Sequence, residues 1–212
     1  RRLVAAGTLG TIALAQGQWG FGTRGQVMPA ARPPLQQWWD DPTLIGGAST
    51  IMGTGVHGVD LLRFVLGTEV AEVTAIADGQ TPQQPLEQVL AMSLRFTSGT
   101  IATVCCGRRL PDSRNDLVLY GSLGRLVGTG TLWESREGSL DVVSESGNTA
   151  LHPPADRLAN YVDEILDFQQ AIAANREPAA TGLDGLRVVQ VTLAMIAAAR
   201  DKRTVHLTPL TV

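Results

Sequence analysis

Cysteine and histidine are scarce in this 212-residue chain, and each scarcity excludes something. The two cysteines, Cys105 and Cys106, are adjacent. Neighbours on a strand point to opposite faces, which argues against a disulfide between them. They lie in TIATVCCG, which reads as small residues on a buried strand and points to a reducing, cytoplasmic setting. The chain has three histidines, and no second His, Cys or acid stands at ligand spacing around His57, so no metal site is expected. No Lys/Arg block occurs, the net charge is −3 and the pI is near 5.6. Nucleic acid and anionic membrane are therefore not expected as partners. The first fifteen residues, two arginines and then LVAAGTLGTIALA, mimic a signal peptide. That run is too short and glycine-broken to span a membrane, and it continues into the β-like IALAQGQWGF. The start at Arg1 without methionine is expected of a fragment or a processed product. No G-x-G-x-x-G follows a strand: GTGTL at Gly128 lacks the third glycine, and GTLGT at Gly7 has the wrong spacing. There is no G-x-S-x-G elbow and no Ser-His-Asp set.

What is present suits a folded α+β domain. At 44% hydrophobic and 17% charged residues, the chain can bury a core and is not disordered. Arg1–Ala6 reads as the tail of a helix closed by Gly7, and Thr11–Phe21 as a strand. Gly22–Pro42 reads as irregular, and Gly46–Gly67 as a glycine-rich entry into a helix. Glu69–Asp78 has strand periodicity, and Thr81–Pro85 is a loop. Gln88–Phe96 and Thr100–Gly107 form a hairpin around Ser98-Gly99. Leu117–Tyr120 and Arg125–Thr129 pair around GSLG, and Trp133–Arg136 and Ser139–Ser144 around Glu137-Gly138. Asp156–Asn175 is the clearest amphipathic helix, with Leu158, Tyr161, Val162, Ile165, Phe168 and Ile172 at three- and four-residue steps. Asp184–Arg200 is a second long helix, and Thr204–Leu207 a short closing strand. The hairpins predict a largely antiparallel, open-faced sheet with helices on one face.

The stretch GTGVHGVDLLRFVLG, Gly53 to Gly67, carries the candidate chemistry. On a helix, Gly53, His57, Asp60 and Phe64 share one face. Gly53 and Gly55 leave the approach to His57 open. Unpaired N–H groups at the helix start favour anionic or hydroxyl-rich ligands and disfavour a protonated imidazole. His57 is thereby a candidate proton acceptor, and Asp60 orients its ring or serves the helix dipole. Trp38 and the acids Asp40 and Asp41 precede this helix, as a packed aromatic corner or as a wall of a polyol pocket. Arg108 and Arg109 follow the hairpin strand, as a solvated end or an anion-binding one. His152 and His206 read as incidental.

Several separated motifs occur in one order: Trp39-Asp40-Asp41-Pro42, Gly46-Gly47, GVHGVDLLRFVLG followed by EVAEVTA, LYGSLGRL, NYVDEILDFQQAI and REPAATGLDGLRVVQVTLAMIAAA. From about Thr8 to Leu207 the chain resembles the C-terminal domain of Gfo/Idh/MocA NAD(P)-dependent oxidoreductases. The resemblance implies one α/β domain over residues 1–212, with residues 1–10 as the tail of a preceding helix and a linker. It implies a separate Rossmann domain, outside this sequence, that binds NAD or NADP and carries a catalytic lysine. It implies a sheet that binds substrate on one side and pairs subunits on the other. His57 falls on the family's catalytic histidine, a general acid/base at the substrate hydroxyl. The family commonly has an aspartate one turn earlier, where this chain has Gly53, and Thr54 or a water is the candidate replacement. Asp60 matches a recurrent acid taken as structural.

The expected function is thus the substrate-binding and dimerisation half of an oxidoreductase acting on a CH–OH group of a sugar, cyclitol or polyol. His57 is the expected catalytic residue, and Thr54, Trp38, Asp40, Asp41 and Arg108 the expected substrate contacts. The alternative is a non-catalytic binding or assembly module that keeps the fold.

Overall fold

The computed structural model describes residues 1–29, 31–132 and 138–208. Its centre is one nine-stranded sheet. A short helix α1 (Arg2–Ala5) leads into strand β1 (Ile12–Gly20). A 3-10 helix (Pro34–Asp40) lies in the segment expected to be irregular. A π-turn (Ile51–Gly55) then runs into α2 (Val56–Leu66). β2 (Val70–Ala77), β3 (Val89–Phe96), β4 (Ile101–Gly107), β5 (Leu117–Gly121), β6 (Gly124–Thr129), β7 (Ser139–Ser144) and β8 (Gly147–Leu151) follow. The chain continues through α3 (Ala159–Ala174) and α4 (Gly182–Asp201) to β9 (Val205–His206).

The strand order is β8-β7-β6-β5-β1-β4-β3-β2-β9. Neighbouring strands are antiparallel except β1 and β4, which run parallel with Leu14 opposite Ile101 and Gly20 opposite Gly107. The predicted α+β sheet is therefore present. The expected partner of β7, residues 133–136, lies outside the described residues. β7 pairs with β6 on one side and β8 on the other. β8 went unread because GNTAL is exposed throughout and has no apolar alternation.

Alternation decides which face is covered. On β3, Leu90, Met92, Leu94 and Phe96 are buried while the residues between them are not. Val73 and Ala75 of β2 and Val104 and Cys106 of β4 join them beneath α2 and α4. Each fully buried aliphatic or aromatic side chain contributes roughly 1.5–3 kcal/mol. α4 is long and apolar enough, by composition alone, to cross a membrane. Its Val188, Val191, Ala194, Met195 and Ala198 are instead buried in this protein. Gly58 lets α2 lie close to the sheet, since an added Cβ would come within 3.0 Å of Val104 Cγ1. Gly67, at φ +67°, ends α2 in the left-handed conformation that favours glycine. The amphipathic stripe of α3 behaves differently. Tyr161, Val162, Ile165, Phe168 and Ile172 are exposed, and only Ala159 and Ala171 of this helix are buried.

Arg63 ties the helical layer together. Its guanidinium is nearly fully buried and donates from Nε and Nη2 to the two oxygens of Glu69, at 2.7 and 3.0 Å. It also donates to the carbonyl and carboxylate of Asp184, both at 3.3 Å. Asp184 closes a capping box with Thr181 at the start of α4. Arg187 adds a second cation to Glu69 at 2.9 Å. One side chain thus joins the end of α2, the turn into β2 and the start of α4. The partner carboxylates are about one-third exposed, which weakens the network relative to a fully buried one. Arg63→Met is expected to cost about 1–3 kcal/mol in urea denaturation. A change within ±0.5 kcal/mol would show the clamp to be dispensable.

Candidate active site

The site is assembled at the carboxyl ends of the parallel pair β1 and β4, where α2 begins. Trp19, next to last on β1, stacks on the imidazole of His57 with ring centroids 5.0 Å apart and planes 27° apart. Trp19, Phe21, Gly53, Thr54 and His57 line a cavity of about 400 Å³ with Asn160, Tyr161 and Glu164 of α3. His57 is exposed to this cavity and makes no hydrogen bond among the described residues. Its ring edges are available to a ligand while one face is held by an indole.

The helix that carries His57 begins earlier than expected, and this changes its electrostatics. The π-turn starts at Ile51, six residues before His57, and the Ile51 N–H donates to Glu87 Oε1 at 2.7 Å. The Gly53 N–H donates to the Ser49 carbonyl at 2.8 Å. The expectation of unpaired helix-start N–H groups beside His57 is therefore overturned. A carboxylate and a preceding carbonyl have taken them, and His57 sits a full turn further along.

Glu87 had no signal in the sequence, because it lies in a proline-flanked loop far from any motif. It is completely buried, and burial pushes its carboxyl above the ordinary value of 4.5, against its hydrogen bonds from backbone N–H groups. A carboxyl raised in the folded state stabilises most below that ordinary value, and its contribution is lost as pH rises through the raised value. Glu87→Gln does not titrate and keeps an oxygen for the Ile51 N–H. Relative to the parent, this variant is expected to gain stability as pH is raised from 4 to 8. Denaturation curves at the two ends test it, and a constant gap would contradict it.

The other expected residues are placed as follows. Thr54 is buried and lines the cavity, but its hydroxyl proton goes to the Thr50 carbonyl at 3.0 Å and the same hydroxyl is hydrogen-bonded to the Cys106 thiol. Gly53 opens onto the cavity, and an added Cβ would meet only Trp39 at 3.7 Å. Gly55 does not keep the approach open. It faces the core, where a Cβ would lie 3.4 Å from Leu90 and 3.6 Å from Met195. Asp60 does not orient the ring but turns to Arg63, at 3.7 Å, one helical turn away. Asp41 closes its own turn, accepting from the backbone N–H and hydroxyl of Thr43. That hydroxyl and N–H hold the Asp41 carboxyl below its ordinary value. Trp38 tilts against Trp39 at 4.8 Å and is half exposed, and Trp39 is the indole that reaches the site. Asp40 lies between two cations, 3.1 Å from Arg32 and 3.7 Å from Arg108. Arg32, Trp19, Phe21 and α3 went unread as site residues. Their place depends on strand register and packing, which no local pattern reports. Cys106 is buried, its thiol pushed up to about 12, while Cys105 of the same strand faces outward. Among the described residues no cluster of three or more His, Cys, Asp or Glu is placed to hold a metal ion.

Comparison with known proteins identifies the fold. The model of the GFO/IDH/MocA C-terminal domain matches residues 1–127, and the chain belongs to that family. A 1,5-anhydro-D-fructose reductase of Ensifer adhaerens is 29% identical over 189 residues, covering 88% of this chain and 56% of the relative. A myo-inositol 2-dehydrogenase of Thermotoga maritima is 25% identical over 158 residues, covering 72% of this chain and 47% of the relative. The chain thus spans about half the length of these curated relatives. Among solved structures, a levoglucosan dehydrogenase complexed with NADH and L-sorbose superposes with a TM-score of 0.82 at 17% identity, covering 99% of this chain and 62% of that one. An aldose-aldose oxidoreductase from Caulobacter crescentus complexed with glycerol gives 0.77 at 23% identity, covering 97% and 58%.

Proposed function

We propose that this chain is the substrate-side half of an NAD(P)-linked oxidoreductase acting on a CH–OH group of a sugar, cyclitol or related polyol. The observation that carries the reading is His57: an imidazole on a helix, stacked on Trp19, with its nitrogens free at the rim of an open cavity. Indole and phenyl walls suit the C–H faces of a sugar ring. The names of the relatives, an anhydrofructose reductase and an inositol dehydrogenase, support a polyol.

In this reading His57 takes the proton of the substrate hydroxyl during oxidation and returns it during reduction. The stacked indole fixes the plane of the ring, so that a nitrogen rather than a ring face meets the hydroxyl. The glycine-rich turn that opens α2, Gly53 to Gly58, does not follow a strand, and its Gly53 N–H donates to the Ser49 carbonyl, so it does not fit a dinucleotide pyrophosphate. Nicotinamide chemistry is assigned to a domain outside this sequence, and the residues here bind, orient and move the proton. The chain itself is read as one domain over residues 1–212, working in the cytoplasm.

The alternative, a non-catalytic binding or assembly module, draws on Gly53, which removes the acid commonly found a turn before the histidine. The two part on one measurement. His57→Ala in the complete polypeptide, with both coenzymes and a polyol panel, is expected to lower turnover by about 10²-fold or more. Unchanged turnover sinks the catalytic role.

The face of the sheet opposite the helices suits a second copy of the chain. Ile76 is 74% exposed and Tyr120 40% exposed there, beside Thr103, Cys105 and Val118. An apolar patch of this kind predicts self-association. Light scattering is expected to show a dimer that Tyr120→Asp weakens, and a monomer at high concentration would refute the pairing.

A further inference from the structure

Beside the His57 cavity lies a second one of about 180 Å³, lined by Phe21, Arg32, Trp39, Ser49, Thr50, Gly53, Thr54 and Arg108. Phe21, Gly53 and Thr54 line both, so the two spaces meet along the π-turn. We propose that this second cavity is a subsite for the carboxylate of a sugar acid, so that the polyol handled at His57 carries an acidic group. The proposal rests on the polyol reading of His57 and narrows it.

Three observations carry it. Two unpaired donors line the cavity: Arg108 Nε and Ser49 Oγ are fully buried and have no hydrogen-bond partner among the described residues. The Arg108 side chain is nine-tenths buried, and leaving a buried donor unpaired costs about 1–3 kcal/mol that a bound acceptor recovers. The charge count is also unbalanced. Arg32 and Arg108 share one carboxylate, Asp40, at 3.1 and 3.7 Å. Glu87 lies behind Ser49 and Thr50, its Oε1 taken by the Ile51 N–H, and does not line the cavity. The net +1 that remains matches a monoanionic carboxylate better than a doubly charged phosphate. Burial and the neighbouring Arg32 both press the Arg108 charge downward, and a ligand anion relieves both.

Gly53 supplies the third observation. An aspartate there would border the same cavity and offer Arg108 an internal anion. Glycine leaves the guanidinium unmatched and the passage from His57 open, with only Trp39 within 4 Å of an added Cβ. Trp39 forms the apolar wall, and the Arg32 guanidinium lies over its ring at 5.3 Å, which holds one cation in place. The guanidinium fork of Arg108 suits a planar two-oxygen acceptor.

The test compares D-gluconate with D-glucitol, which share a six-carbon skeleton and differ in the acid, by calorimetric titration of this chain. Gluconate is expected to bind about tenfold tighter or more, and Arg108→Gln to abolish the preference. Equal binding of the two, no binding of either, or a preference that survives Arg108→Gln would overturn the proposal. Glucitol 6-phosphate is the third ligand, and tighter binding of the phosphate would overturn the assignment to a carboxylate. Should Arg108→Gln fail to fold, the parent chain decides: the preference must fall as salt rises from low to physiological strength. His57→Ala separates this proposal from the broader reading. It is expected to retain the gluconate preference while losing turnover in the complete polypeptide. A preference without any turnover in the unmutated complete polypeptide would leave the subsite standing and remove the enzyme.

Discussion

β1 and β4 are the one parallel pair among the described strands, and their pairing decides where the site lies. Parallel neighbours finish at the same edge of a sheet, and here that edge receives Trp19 and Phe21 from one strand and Arg108 from the other. An antiparallel pairing would have sent these ends to opposite edges. Parallel strands also need a long connection. Between β1 and β4 the chain makes the 3-10 helix, the π-turn, α2 and a hairpin. The residues that meet the strand ends, Trp39, Gly53 and His57, all belong to this connection.

A connection of that length needs to be held at both ends. At its far end Arg63 gathers Glu69 and Asp184, locking α2 against α4 and the sheet. At its near end Glu87 reaches from the loop before β3 to the first N–H of the π-turn. The two devices differ in physics. Arg63 is a charged fork with its donors matched, and its partners keep some solvent. Glu87 is a lone buried carboxyl whose second oxygen has no partner among the described residues. The near end is thus the one that carries an unpaired buried oxygen, and it is also the end that faces both cavities.

The fold was largely readable because it rests on period-two alternation and strong punctuation. AMSLRF, the Ser98-Gly99 turn and the GSLG turn place β3 to β6 without help from tertiary structure. β8 was missed because a polar edge strand shows no apolar alternation. The site was readable only where it is local. His57 and Gly53 sit in one motif, and both reach the cavity. Gly55 shares that motif, but the π-turn rotates it into the core, a shift that helical spacing does not encode. Arg32, Glu87 and Trp19 come from three separate segments. Strand register and long loops bring them together, so no window of sequence contains the information. Which of the neighbours Trp38 and Trp39 reaches the site depends on the rotation of a short helix.

α3 supplies the far wall of the cavity beside His57 through Asn160, Tyr161 and Glu164, yet buries only two alanines of its own. The floor of the cavity is set by a sheet with many mutual constraints. Its far wall is set by an element whose apolar side still faces water. The volume offered to a ligand is therefore a dependent variable, fixed by whatever packs on that side of α3. In the proposed reading, ligand size selection falls to α3 and whatever covers it, while proton transfer falls to His57 on α2 and charge matching to Arg108 at the end of β4. In that reading, discrimination by bulk and discrimination by charge are housed on different parts of the molecule, and they are free to change independently.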